Sequence, residues 1–194
     1  MSKQVIEALS PAKLNLFLHV TGQRDNGYHE LQTAFQLLNW GDRMRFEITE
    51  TTGITLHPPI AGLPNEDNLI FRAAASLGLP EDRGVAISIE KVIPMGGGLG
   101  GGSSNAAVTL LALNDLFDLG YSVDELALKG AALGADVPVF VKGTSAWAEG
   151  IGDEMTPLEL PARWFVIIYP DCHVSTKEIF GAPELTRNTP PITV

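Results

Sequence analysis

"PMGGGLGGGSSNAA", Pro94 to Ala107, holds six glycines among its residues and decides how the rest of the chain is read. Glycine loses more conformational freedom on folding than any other residue, so a cluster of this kind is costly to order. An alternating stretch, "VAISIEKVI", precedes it, and an apolar run with helical periodicity, "NAAVTLLALNDLF", follows it. The cluster is therefore expected as a loop between a strand and a helix, with Ser103 or Ser104 as the helix N-cap. Successive backbone N–H groups in such a loop form a concavity for anions. The helix adds its unsatisfied N–H groups and the positive end of its dipole. The pattern predicts a phosphate site. A flexible linker or a tight structural turn is the ordinary alternative, but a linker is seldom bracketed so closely by a strand and a helix.

The class of phosphate site is narrowed by what surrounds the glycines. No Gly-Lys-Ser/Thr closes the loop, so it is not a Walker A motif. Gly96, Gly98 and Gly101 satisfy G-x-G-x-x-G, although a dense glycine cluster produces that match readily. The preceding strand alternates apolar and polar residues, whereas the first strand of a dinucleotide-binding unit is a continuous apolar run. Dinucleotide binding stays as the secondary reading.

Working outward, "AKLNLFLHV" alternates with period 2 and predicts a strand with Leu14, Leu16, Leu18 and Val20 on one face. Lys13, Asn15, Phe17 and His19 share the other. "TGQRDNGYHEL" carries a turn at Asn26-Gly27, and "TAFQLL" and "RMRFEIT" read as further strands. "DNLIFRAAASLGL" predicts a helix capped by Asp67 or Asn68 and stopped at Gly78. "SVDELALKGAALG" predicts another, with capping-box spacing between Ser122 and Glu125 and a stop at Gly134. "VPVFVKG" and "TSAWAEG" suggest a hairpin, and "WFVIIYP" a buried strand. Helices and strands mix without regular βαβ alternation, so the fold class is α+β.

Composition sets the outer limits. The chain has 194 residues, 45% apolar and 19% charged, enough for one domain with a sizeable core. A net charge of −10 without a basic patch argues against nucleic acid as a partner. No apolar run has the length of a membrane span, and the N-terminus lacks a signal-peptide core. One cysteine, Cys172, excludes a disulfide framework and suits a reducing cytoplasm. His19, His57 and His173 lack metal-ligand spacing and read as structural.

Three separated motifs, in order, resemble a known family. "PMGGGLGGGSSNAA" is similar to the second motif of the GHMP kinases, which include galactokinase, homoserine kinase and mevalonate kinase. Together with "SPAKLNLFLHVTGQRDNGYHELQT" and "LGADVPVFVKGTSAWAEGIGDEMTPL", it resembles the branch that phosphorylates 4-diphosphocytidyl-2-C-methyl-D-erythritol in the non-mevalonate isoprenoid pathway. "PELTRNTP" near the end fits the same branch. The resemblance implies the GHMP kinase N-terminal fold, like domain 2 of ribosomal protein S5, over residues 1–194. Family members carry a second domain with a third glycine-containing motif. None follows "RNTPPITV" here, so an N-terminal half with weak or no turnover by itself is expected. Apolar surface left uncovered would favour a homodimer.

The resemblance also implies roles. The γ-phosphoryl of ATP would pass to the 2-hydroxyl of the substrate, with Lys13 and Asp136 as the catalytic pair. The residues agree: Lys13 is the one charge on its strand face, and Asp136 stands just past the Gly134 helix stop, at the start of a strand in an otherwise apolar stretch, where a carboxylate can orient a hydroxyl and accept its proton. ATP would lie on Pro94, Met95, Gly96, Gly97, Gly98, Leu99, Gly100, Gly101, Gly102, Ser103 and Ser104, with Asn68 and Lys91 near adenine and its sugar. Magnesium would bridge phosphates, near the Ser104 hydroxyl. On the substrate side, Tyr28 and Phe180 would stack on the cytosine, His29 would read its polar edge, and Asn15 and Thr176 would add contacts. Each has an ordinary alternative: a solvated strand lysine, a turn carboxylate, core aromatics, a helix cap at Asn68. Nucleotide binding without turnover is the competing function.

Overall fold

Two long strands, each bent by its own sequence, carry most of the architecture. The computed structural model describes residues 4–60, 62–170 and 176–193, and for 176 and 177 the backbone alone. The elements are β1 (Val5–Gln23), β2 (His29–Thr49), β3 (Gly53–His57), α1 (Leu69–Ala75), β4 (Gly84–Glu90), α2 (Gly101–Leu116), α3 (Val123–Ala131), α4 (Val137–Lys142), β5 (Ala146–Glu149), β6 (Glu154–Pro157) and α5 (Thr176–Gly181). "TAFQLL" and "RMRFEIT" are parts of the single strand β2. It pairs antiparallel with β1 from Gln23↔His29 to Val5↔Glu47, with β4 over Arg43–Thr49 and with β5 over Thr33–Phe35. The sheet has six strands in the order β3-β4-β2-β5-β6, with β1 beside β2. Only β3 and β4 run parallel, and α1 connects them. The fold is α+β.

Helices cover one face of the sheet. Met44, Phe46, Val85 and Ile87 point into a core shared with Leu110 and Leu113 of α2, Leu126 of α3 and Val137 and Val139 of α4. The other face carries Glu7, Arg45, Ser88 and Glu90, so β4 alternates as its sequence predicts. α2 has no polar stripe, because the sheet, α1, α3 and α4 all pack against it.

Irregularities in the β1–β2 pairing decide which face of β1 turns inward. The β1–β2 register shifts between Pro11 and Lys13 and again between Asn15 and Leu18. Before the first shift the even residues turn inward, with Ser10 and Ala12 buried; after it the odd ones do, with Lys13 buried and Asn15, Phe17 and His19 half-buried. At the first shift two residues of β1 pass four of β2, and the consecutive Ala12 and Lys13 are both buried there, so the inward-facing set changes from even to odd. The leucine face is the wet one, with Leu16 and Leu18 exposed.

Several local expectations need correction. "VPVFVKG" is helix α4, not a strand; the hairpin is β5–β6 instead. Val137, Val139 and Val141 favour a strand by propensity, but burial against α2 and α3 overrides it. "WFVIIYP" forms no strand: it finds no ladder partner among the described residues, and Trp164, Val166 and Ile168 are exposed. α2 starts one turn earlier than expected, with Gly100 as N-cap in the left-handed region, and Ser103 and Ser104 inside the helix. Asn68 does cap α1, and Ser122 and Glu125 form the capping box of α3. α3 ends at Ala131, ahead of Gly134, and α1 at Ala75, ahead of Gly78. No helix among the described residues is long and apolar enough to cross a membrane.

Candidate functional site

The glycine loop leaves β4 at Glu90 and ends on α2. Beside it lies a cavity of about 380 Å³, lined by Ile60, Leu63 and Leu69, by Pro94 to Gly102, and by Asp67, Asn68, Lys91, Ser103 and Asn105. No side chain caps α2, so the first-turn N–H groups of Gly101, Gly102 and Ser103 keep their capacity for a ligand. Its apolar side chains suit a base and its backbone N–H groups an anion.

Lys13 lies beside the loop and is tied to it twice. Its backbone N–H, where the β1–β2 register shifts, donates to the Leu99 carbonyl at 2.9 Å. Its stem passes Gly100 so closely that a Cβ on that residue would stand 3.1 Å from Lys13 Cγ. The ammonium is held on three sides. Nζ stands 3.2 Å from Asp136 Oδ2, donates to Asn15 Oδ1 at 2.5 Å and sits 5.3 Å from the centroid of the Phe35 ring. Asn15 Nδ2 donates in turn to Thr33 Oγ1 at 2.9 Å, and Thr33 to the Phe17 carbonyl at 2.6 Å, which fixes the amide with its oxygen toward the lysine. Asp136 is the N-cap residue of α4, not a strand residue; its side chain makes no cap bond and so is free for Lys13. The lysine is 6% and the aspartate 34% exposed along the side chain, so the carboxylate is the member within reach of a ligand.

Beneath the loop is a polar cluster with no counterpart in the sequence reading. Asp42 of β2 is fully buried. Its Oδ1 accepts from the N–H groups of Val92 (2.8 Å) and Ile93 (2.9 Å), and its Oδ2 from Lys91 Nζ (2.6 Å) and Asn105 Nδ2 (2.9 Å). Burial disfavours the charge, but these hydrogen bonds, led by that from Ile93, outweigh it and hold the carboxyl below its ordinary range. Asn105 also donates to Ser10 Oγ at 2.8 Å, and Ser10 donates to Ser104 Oγ at 2.8 Å. Ser104 is fully buried in that bond and does not line the cavity, whereas Ser103 does. The expected magnesium-binding hydroxyl at Ser104 is therefore a mismatch. Among the described residues no group of three or more His, Cys, Asp or Glu could hold a metal ion either.

A second cluster is built by the β1–β2 turn and residues 180–187. His29 and Phe180 come together with ring centroids 5.0 Å apart, and Tyr28 is exposed beside His29 in sequence. Arg187, quoted in "PELTRNTP" but given no role there, joins them. Its Nε donates to His29 Nε2 at 3.0 Å, and its Nη2 to the carbonyls of Phe180 (2.9 Å) and Ala182 (2.8 Å). Arginine has only donors, so His29 Nε2 is an acceptor and the ring proton sits on Nδ1. The side chain of Thr176 lies outside the described residues, as do Cys172 and His173. Lys91 stands just past β4 rather than on it, and Asn68 both lines the cavity and caps α1, its Oδ1 accepting from Ile70 N at 3.0 Å.

Residues 68–144 match the family model described as the GHMP kinases N terminal domain. A 4-diphosphocytidyl-2-C-methyl-D-erythritol kinase of Marinobacter nauticus is 54% identical over 189 residues, covering 95% of this chain and 66% of its own length. One from Pseudomonas fluorescens is 52% identical over 196 residues, covering 100% of this chain and 69% of the relative. The crystal structure of a 4-(cytidine 5'-diphospho)-2C-methyl-D-erythritol kinase superposes with a TM-score of 0.74 at 36% identity, over 92% of this chain and 65% of that one. The chain thus spans about two thirds of the length of the curated relatives it matches.

Proposed function

Because the chain belongs to the 4-diphosphocytidyl-2-C-methyl-D-erythritol kinase family of the GHMP kinases, we propose that it transfers the γ-phosphoryl group of ATP to the 2-hydroxyl of 4-diphosphocytidyl-2-C-methyl-D-erythritol. The observation that carries the reading is the Lys13–Asp136 pair, 3.2 Å apart, backed onto a glycine loop whose helix N-terminus is uncapped.

In this reading ATP lies with its base between Ile60, Leu63 and Leu69 and its phosphates on the backbone of Gly96 to Ser103. The loop N–H groups and the α2 dipole stabilise the phosphate charge. Asp136 orients the substrate hydroxyl and takes its proton as the oxygen attacks the γ-phosphorus. The bond to the β,γ-bridging oxygen breaks and its electron pair leaves with ADP. Lys13, placed by Asn15 and Phe35, orients the carboxylate and lends positive charge to the transferring group. Tyr28, His29 and Phe180 form the cytosine wall, with the Nδ1–H of His29 as a donor to the base. Magnesium accompanies ATP in such transfers, but the described residues offer it no ligand set, so no step here runs through it. The cytoplasm, suited to a lone thiol, is the proposed location.

The test is a phosphoryl-transfer assay followed by phosphorus NMR, with ATP, magnesium and the cytidyl substrate. Turnover that collapses in Lys13→Met and Asp136→Asn supports the kinase. Binding of both ligands without turnover supports a nucleotide-binding module instead. Binding of neither ligand refutes the assignment for this chain.

A further inference from the structure

The buried cluster under the loop has a structure that packing alone does not require. Asp42 accepts four hydrogen bonds, all at 2.6–2.9 Å, from two places: the consecutive Lys91, Val92 and Ile93, and Asn105 on α2. These are the two ends of the loop. Val92 and Ile93 begin it as it leaves β4, and Asn105 lies in the second turn of the helix that closes it. Between them Lys91 is held at two acceptors, Asp42 Oδ2 at 2.6 Å and Asn105 Oδ1 at 3.1 Å. An ammonium has three donors, so one is left for the cavity that Lys91 lines. A Cβ on Gly101 would come within 3.3 Å of Lys91 Nζ, which puts the ammonium beside the first turn of α2.

We propose that Asp42 is a positioning residue for ATP: it aims the Lys91 ammonium at the nucleotide phosphates and sets the spacing between the two ends of the glycine loop, acting through Lys91 and Asn105 without touching the ligand. This rests on the reading of the loop as the ATP site. The chemistry favours a carboxylate over any neutral residue here. Four donors converge on one side chain, and only an ionised carboxylate accepts all four. In Asp42→Asn the amide nitrogen would face Lys91 Nζ and Asn105 Nδ2, donor against donor. The ammonium would then be turned away from its aim even where the fold survives.

The experiment is a double-mutant cycle read by calorimetric titration with ATP, on the full chain, using Asp42→Asn, Lys91→Met and both together. Near-UV circular dichroism checks the fold of each. Each single change is expected to weaken ATP binding about tenfold, and the double change by no more than about threefold beyond the worse single, because coupled residues do not add. Losses that multiply in the double variant, or a folded Asp42→Asn that binds ATP like the wild type, overturn the proposal. If Asp42→Asn does not fold, Asn105→Ser takes its place. It removes one acceptor from Lys91 and keeps the ion pair. Its expected loss of about threefold or more should vanish in the Lys91→Met background; an equal loss in both backgrounds overturns the proposal. A wild-type chain that binds no ATP removes the nucleotide reading and this inference with it, whereas binding with multiplicative losses removes this inference alone.

Discussion

Gly100 is where the loop, the lysine and α4 meet, and its replacement by alanine has a cost that can be worked from the structure. Its φ is +72°, left-handed backbone that an alanine adopts at a penalty of about 1–2 kcal/mol. The added Cβ would also stand 2.8 Å from Phe140 Cζ, 3.0 Å from its Cε2 and 3.1 Å from Lys13 Cγ. Phe140 is buried and cannot swing into solvent. Overpacking of this kind adds about 1–3 kcal/mol, for a total of about 2–5 kcal/mol. Gly98 supplies the control. Its φ is +71°, but nothing lies within 4 Å of its would-be Cβ. Gly98→Ala therefore carries the backbone penalty alone. The gain from a stiffer unfolded chain is common to both changes and cancels in their difference. Urea unfolding with matched slopes measures the two. Gly100→Ala is expected to be less stable than Gly98→Ala by about 1–3 kcal/mol. Equal losses would show that Phe140 and Lys13 move aside freely and that the tight meeting of loop, strand and helix is not what fixes this turn.

Other outcomes follow from single residues. The carboxyl of Asp42 titrates below its ordinary value in the folded chain. Its stabilisation is complete above the unfolded value of about 3.9 and is lost as pH falls through the folded one, so the stability gap between wild type and Asp42→Asn, read by unfolding across pH, should narrow only below about pH 4. Ser122→Ala removes the α3 cap and should cost about 1 kcal/mol in urea unfolding. Arg187→Ala frees His29 Nε2 and the carbonyls of Phe180 and Ala182, and should lower the affinity for cytidine diphosphate about tenfold in calorimetry while ATP binding stays unchanged. Tighter or unchanged cytidine diphosphate binding would separate Arg187 from the cytosine wall.

What the sequence made legible is what local physics writes. The α1 cap at Asn68, the capping box at Ser122 and Glu125 and the alternation of β4 are contests among residues a few positions apart, and the chain folds accordingly. The illegible parts depend on distant partners. In "NWGDRMR" Asp42 looks like a turn residue; its donors come from 49 to 63 positions further on. The register shift after Pro11 leaves no mark in the alternation of "AKLNLFLHV", yet past it the mixed face turns inward and Leu16 and Leu18 face outward. α4 reads as a strand because its valines do, and only packing against α2 and α3 makes it a helix. "WFVIIYP" is a continuous apolar run like a buried strand, but such a run cannot supply the neighbour whose hydrogen bonds would make it one.

These distant partners also answer why so many glycines are worth ordering. The loop is not held by its own residues. Lys13 N–H grips it at Leu99, Asp42 grips its start at Val92 and Ile93, and Asn105 is linked through Ser10 to β1. Phe140 of α4 closes against Gly100, and α4 is the helix that Asp136 begins. The loop, the ammonium and the carboxylate are therefore parts of one rigid junction, in which moving any one displaces the others. Side chains in place of Gly100 and Gly101 would hold strand, loop and helix apart, since a Cβ there would meet Phe140 at 2.8 Å and Ile93 at 2.9 Å. The entropy lost in ordering them is offset by a geometry in which the uncapped start of α2 and the lysine–carboxylate pair meet at Gly100.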